Sequence, residues 1–277
     1  MIHPTAIVDP RAEIDASAEI GPYVVIEGRV RVGERTRVHA HVVITGGAEI
    51  GADNRVHSGV VLGDAPQDLA FAGAESFLHI GNGNVFRENS TIHRGTKPES
   101  ETFIGDRNYF MQNSHVAHNC RIGNDAIVAG GAMLSGYVEL GDRGFVSGNC
   151  VVHQFVRIGR LALLRGLSRT SRDVPPFCIM DGTHSVRAVN LVGLRRAGFS
   201  ASAIRAIRDA FKILFLRPRN LTLALAELER EPLSPEVGEL VEFIRTSKRG
   251  VCFGPRGGSA DADDERREDS RHESLPR

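Results

Sequence analysis

Positions 8, 14, 20 and onward in steps of six to 164 form a series of 27, and all but three hold Ile, Val, Leu or Phe. The exceptions, Asp68, Ala74 and Pro98, fall in two short stretches, and the phase survives both: Leu62 resumes at Ile80 and Ile92 at Ile104. A period of six suits neither an amphipathic helix nor a long strand; it suits a solenoid of short strands and turns. Each unit reads small–x–apolar–Gly/polar–x–x, as in Ala18-Glu19-Ile20-Gly21-Pro22-Tyr23. The apolar residue points into a narrow core. The next position turns a corner, where Gly is expected to supply a positive φ. Gly33, Gly51, Gly105, Gly123, Gly141 and Gly159 fill that slot at separations of 18 or its multiples. Eighteen residues are three hexads, so three flat faces make one coil and the cross-section is a triangle. Coils stacked as parallel strands lie about 4.8 Å apart, so residues 1–172 give roughly nine coils and a prism on the order of 45 Å tall.

Two stretches interrupt the hexads, Gly63–His79 and Arg94–Phe103. A loop cannot fit inside so thin a prism, so both are expected to project, and long loops on a rigid scaffold commonly carry function. After Arg172 the hexads stop at a stiff exit, Asp173-Val174-Pro175-Pro176-Phe177, and helical patterns follow. Ser200 is placed to cap a helix with Ile204, Ile207, Phe211 and Leu214 on its apolar face, ended by Pro218. A short helix is expected over Leu221–Arg230. Ser234-Pro235 reads as N-cap and first residue of another, with Val237, Leu240, Val241 and Ile244 on one face and Gly250 as its stop. The chain thus divides into a β-solenoid over 1–184, with loops at about 63–79 and 94–103, a helical domain over 185–253, and a tail over 254–277 whose Gly, Ser, Asp, Glu and Arg content points to disorder. The helical domain is expected to cover the open end of the prism.

The composition, 277 residues with 41% hydrophobic, no Trp and zero formal net charge, suits a thin aliphatic core plus a small second domain. Met1-Ile2-His3-Pro4 enters the repeat at once, so no signal peptide is expected, and no apolar run is long enough to span a bilayer. Cys120, Cys150, Cys178 and Cys252 form no CxxC pair; Cys120 and Cys150 lie in the repeat and read as packing residues in a reduced, cytoplasmic setting. Charge is uneven. Between Phe155 and Arg219 there are 13 basic and three acidic residues, a segment suited to nucleotides, phosphopantetheine or an acidic carrier protein. Nucleic acid is not expected, because a recognition motif and aromatic stacking residues are lacking.

A site must lie outside the prism. Four histidines gather where a base is needed: His93, His115, His118 and His153. In Ser114-His115-Val116-Ala117-His118-Asn119 the core position is Val116, so neither flanking histidine belongs to the core. A neutral imidazole can take a proton from a sugar hydroxyl as it attacks an acyl group. Three histidines can also bind zinc, which keeps a carbonic-anhydrase-like enzyme as a second class; no metal site is assigned.

Six motifs occur in order: Gln67-Asp68-Leu69, Thr91-Ile92-His93-Arg94-Gly95-Thr96, His115-Val116-Ala117-His118, Val152-His153-Gln154-Phe155, Asp173-Val174-Pro175-Pro176, and the run Val189-Asn190-Leu191-Val192-Gly193-Leu194-Arg195-Arg196-Ala197-Gly198-Phe199. Over about residues 1–250 the chain resembles the acyl-ACP–UDP-N-acetylglucosamine O-acyltransferases of the first step of lipid A synthesis, within the hexapeptide-repeat acyltransferases. The resemblance implies a mainly β fold, a left-handed parallel β-helix followed by a small α-helical C-terminal domain, assembled as a homotrimer with sites between prisms. It implies transfer of a 3-hydroxyacyl chain from acyl carrier protein to the 3-hydroxyl of UDP-N-acetylglucosamine, with no cofactor. His118 takes the general-base position and Gly136 that of the oxyanion-binding glycine. Asp68, His93, His115, His153, Gln154, Asn190 and Arg196 take substrate-contact positions, and Gly166 the position that limits acyl length. Asn119, Ala70, Val192, Ala197 and Tyr137 stand where the family carries Asp, Lys, an acidic residue, Arg and His. An Asn beside His118 adds no negative charge, which makes His118 a weaker base. Arg94, Arg165 and Arg195 are candidates to replace lost charge. The alternatives are an acyltransferase using a modified UDP-sugar or a CoA donor, and a non-catalytic UDP-sugar or carrier-protein binder.

Overall fold

The computed structural model describes residues 1–217 and 220–254. Short strands at hexad spacing build three parallel sheets, the faces of a triangular β-helix. The first face runs from Ile7–Val8 to Arg169–Thr170, the second from Glu13–Ile14 to Arg157–Ile158, and the third from Glu19–Ile20 upward. In-register partners are 18 residues apart, as in Ile7↔Val25 and His115↔Met133. The step lengthens only where Val61 pairs with Thr91, and where Thr91 pairs with His115. Both insertions leave from the corner between the first and second faces. They are narrower than the hexad pattern implies, because Val61–Asp64, Phe77–Ile80 and Glu101–Ile104 extend as strands into their bases.

The inward column of Ile26, Ile44, Leu62, Ile92, Val116, Leu134 and Val152 is fully buried. Phe86 and Phe110 stack inside it with ring centroids 4.9 Å apart. The four cysteines are free and buried, and burial pushes the Cys120 thiol up to about 12, as suits a packing residue. A buried polar ladder runs within the corner between second and third faces. Thr36 Oγ1 accepts from the Asn54 N–H, Asn54 Oδ1 from Asn84, Asn84 Oδ1 from Asn108, and Asn108 Oδ1 from Ala126. Each side chain satisfies a backbone donor of the coil above.

The corner glycines differ from expectation in their reason. Gly33, Gly51, Gly105, Gly123, Gly141 and Gly159 are absent from the residues with positive φ; the left-handed position falls two residues later, on Arg35, Asp53, Arg107, Asp125, Arg143 and Leu161. Glycine is needed because coils touch there: a Cβ on Gly33 would lie 2.7 Å from the Gly51 carbonyl carbon. Axial closeness, not backbone chirality, selects it.

The outward residues of the faces differ in kind. The first face presents Ile7, Val25, Val43, Val61, Met133 and Val151, and the upper third face Val85, Tyr109, Ile127, Phe145, Leu163 and Ile179. The second face alternates charge: Arg31 pairs with Glu13, His79 lies 3.3 Å from both Glu49 and Glu101, Arg121 pairs with Glu101, and Arg157 with Asp173.

Beyond the hexads, Cys178–Asp181 joins the third face, and Ser185–Val189 folds back antiparallel on it, so residues 185–189 are strand and the helices begin at Leu191. α1 is Leu191–Arg196 and α2 Ala201–Phe211, capped by Ser200. A π-helical turn over Lys212–Leu216 continues α2; the expected stop at Pro218 lies outside the described residues. α3 is Leu221–Leu228, and α4 is Pro235–Arg245, capped by Ser234 and burying Val237, Leu240, Val241 and Ile244. The chain then returns to the last coil, where the Asp173 N–H donates to Gly250 O and the Cys252 N–H to Asp173 O. The expected disorder of 254–277 concerns residues that, from 255 on, lie outside the described ones.

Candidate active site

His118 stands at the corner between the first and second faces, directly above the second loop and only 6% exposed. Its surroundings fix its tautomer. Asn119 Oδ1 accepts from the Thr96 N–H at 2.9 Å, and Asn119 Nδ2 faces Glu101 O at 3.4 Å, so the amide oxygen is the atom turned to His118 Nδ1, 3.1 Å away. Nδ1 therefore carries the proton and donates, leaving Nε2 as a bare lone pair. The first loop sets the Asp68 carboxylate 3.8 Å from that Nε2. One coil above, a Cβ on Gly136 would lie 2.5 Å from His118 Cε1 and 2.6 Å from Nε2, so only glycine leaves room for the ring. The Gly136 N–H has no acceptor among the described residues. The Tyr137 ring stands edge-on to His118, centroids 5.4 Å apart, and stacks on Phe155 at 4.7 Å.

His115 and His93 complete the cluster, edge to face at 5.1 Å, with Thr91 Oγ1 2.7 Å from His115 Nδ1. Burial, reinforced by His93 and His118, pushes His115 down to about 4. Burial also lowers His93, whose Nδ1 has no hydrogen-bond partner; neither has the buried Thr96 Oγ1 beside it. Neutral rings and unsatisfied polar atoms at one spot suit a ligand rich in hydroxyl and amide groups. Among the described residues no three His, Cys, Asp or Glu side chains converge as metal ligands.

The residues singled out from sequence divide by place. Asp68, His93, His115, His118 and Gly136 come together. His153 and Gln154 follow one coil higher on the same corner, where Arg249 reaches His153 Nδ1 at 3.3 Å. Asn190 and Arg196 lie elsewhere. Asn190 caps α1, accepting from the Gly193 N–H and donating to Leu161 O at the corner between second and third faces, and it is 7% exposed. Arg196 is exposed in the last turn of α1. Gly166 sits at the remaining corner, where a Cβ would meet only Gly148 O at 3.6 Å. Arg94 is not a free charge: its guanidinium donates to Gly63 O and lies over Phe71, holding the first loop, while Arg165 pairs with Asp181. Thr96 and Arg249 were missed from sequence; the only hint of Arg249 was a basic pair before Gly250. The largest concavity, about 1100 Å³, lies at the N-terminal end around His39 and His57 and contains none of these residues.

A triangular parallel β-helix that presents a tautomer-fixed imidazole beneath a glycine N–H at a loop-bearing corner defines a hexapeptide-repeat acyltransferase. Residues 11–46 and 101–136 match the bacterial transferase hexapeptide family, and residues 173–252 match domain 2 of UDP-N-acetylglucosamine O-acyltransferase. The chain is 50% identical over 257 residues, 90% of itself and 98% of its relative, to the acyl-[acyl-carrier-protein]–UDP-N-acetylglucosamine O-acyltransferase of Alkalilimnicola ehrlichii, and 46% identical over 259 residues to that of Burkholderia orbicola. The crystal structure of the Francisella novicida UDP-N-acetylglucosamine acyltransferase superposes with a TM-score of 0.89 at 33% identity, covering 95% of this chain and 97% of the other. The chain belongs to the UDP-N-acetylglucosamine O-acyltransferase family.

Proposed function

We propose that this protein transfers a 3-hydroxyacyl chain from acyl carrier protein to the sugar 3-hydroxyl of UDP-N-acetylglucosamine, in lipid A biosynthesis. The observation that carries the mechanism is the bare Nε2 of His118 below the unengaged Gly136 N–H. Nε2 takes the proton of the 3-hydroxyl as its oxygen attacks the thioester carbonyl. The tetrahedral oxyanion accepts from the Gly136 N–H, a contribution typically of a few kcal/mol. Collapse breaks the C–S bond, and the imidazolium returns its proton to the departing thiolate. Asp68 exchanges Nε2 for a sugar hydroxyl, and His93 and Thr96 supply the polar atoms awaiting partners. His115, held neutral, serves as a hydrogen-bonding contact rather than a second base.

The family resemblance of Asn190, Arg196 and Gly166, against their positions at other corners, supports a homotrimer in which neighbours complete the site. The two adjoining apolar faces beside one charged face are what such a ring would cover, through a heterologous contact of first face on third. Among the described residues no helix is long and apolar enough to cross a membrane, and carrier protein and UDP-sugar place the reaction in the cytoplasm. Incubation with 3-hydroxyacyl-ACP and UDP-N-acetylglucosamine is expected to give the 3-O-acyl product, and His118→Ala to abolish it. Turnover only with a modified UDP-sugar or an acyl-CoA sinks this assignment, as does binding without turnover.

A further inference from the structure

A groove of about 520 Å³ climbs from the catalytic corner. Its lower end is Asn119, beside His118. Its wall is the stacked pair Tyr137–Phe155, with Phe155 52% exposed, and its upper end is Lys248 and Arg249, in the segment that returns from α4. The upper end is fixed to the last coil: the Asp173 N–H donates to Gly250 O, Ser247 Oγ to Asp173, and Arg249 Nε to Ser171 O.

Charge accounting leaves the upper end cationic. Of the groove's other ionic residues, Arg121 pairs with Glu101 and Arg157 with the buried Asp173, while Glu139 lies in register between Arg121 and Arg157. Lys248 and Arg249 have no carboxylate partner among the described residues. Two unneutralised cations at one end of an aromatic-walled slot call for an extended ligand with a terminal phosphate.

Length identifies it. From His118 to the coil of Arg172 is three coil rises, about 14 Å. The phosphopantetheine arm has 13 bonds from phosphorus to sulfur, which at peptide-like geometry extend about 15 Å. We propose that this groove seats the phosphopantetheine arm of the donor, its thioester at His118, its pantetheine amides across Tyr137 and Phe155, and its phosphate on Lys248 and Arg249. The assignment rests on the donor being a carrier-protein thioester, and it makes residues 246–249 part of the donor site.

The test pairs two small donors, 3-hydroxyacyl-phosphopantetheine and 3-hydroxyacyl-pantetheine, with the full-length enzyme and its Lys248→Gln and Arg249→Gln variants. Lys248 is exposed, so Lys248→Gln isolates charge from folding; Arg249→Gln is read beside its thermal midpoint. The expected result is a KM for the phosphorylated donor raised about tenfold or more in each variant, with KM for the unphosphorylated donor and for UDP-N-acetylglucosamine unchanged. Equal effects on both donors, or none, overturn the proposal. A rise in the KM of UDP-N-acetylglucosamine instead assigns these cations to the nucleotide diphosphate and also overturns it. Failure of the unmodified enzyme to use acyl-ACP is a different outcome, which removes the parent reading.

Discussion

Asn119→Asp is expected to make this enzyme faster. Asn119 Oδ1 already receives both the Thr96 N–H and the His118 Nδ1–H, so a carboxylate enters an existing hydrogen-bond frame. The exchange loses only the long 3.4 Å contact from Nδ2 to Glu101 O. A full negative charge about 5 Å from the imidazolium centre is worth about 3 kcal/mol at an effective dielectric near 20. The Thr96 N–H screens part of it, and the nearby Glu101 carbonyl opposes it. A net gain of about 1–2 kcal/mol in stabilising the imidazolium formed during attack corresponds to roughly a tenfold faster chemical step. Single-turnover acyl transfer at pH 8, above the ordinary imidazole range, reads that step without product release. Asn119→Leu, which removes the acceptor and frees the tautomer, is expected to slow it about a hundredfold. An Asn119→Asp enzyme of unchanged fold that is no faster than the parent would falsify the account of Asn119 as a neutral orienting partner of the base.

Other expectations follow from the same geometry. Gly136→Ala places a methyl group against Cε1 and Nε2 of His118, so kcat is expected to fall at least a hundredfold while the thermal midpoint moves by only a few degrees, as kinetics and melting curves will show. His115 titrates at about 4 in the folded state against an ordinary 6.5, so its neutral form contributes stability that is complete above 6.5 and lost as pH falls toward 4. The contribution is up to about 3 kcal/mol, and denaturant titrations across that window should find His115→Gln less sensitive to acid. Asn84→Ala removes an acceptor from the Asn108 N–H and a donor to Asn54 Oδ1 inside the prism, with an expected destabilisation of about 2–4 kcal/mol in urea unfolding.

The hexad period made the triangular cross-section, the two loop positions and the inward column legible, because a side chain's direction in a short strand depends on its own coil alone. The reason for the corner glycines was not legible. Whether Gly33 needs a positive φ or simply the absence of a Cβ depends on how near Gly51 lies, a fact about the next coil. The catalytic cluster was readable where one motif held it, as in His115 and His118. It was unreadable where the partner came from a loop, as with Thr96, whose backbone orients Asn119 from 23 residues away. Asn190 shows the opposite failure: a residue singled out for ligand contact spends both polar ends on Gly193 and Leu161, because a helix N-terminus needs that acceptor in any case.

The rod also limits how finely it can measure. Side chains that view a ligand from one corner recur only once per turn of the solenoid, about every 4.8 Å, the span of roughly four carbon–carbon bonds in an extended chain. Shifting a stop to an adjacent level changes the accepted length by that whole increment. Adjustments of one or two carbons have to come from side-chain bulk at a single level. Chain-length preference on such a scaffold therefore evolves in two gears, coarse by relocation and fine by volume.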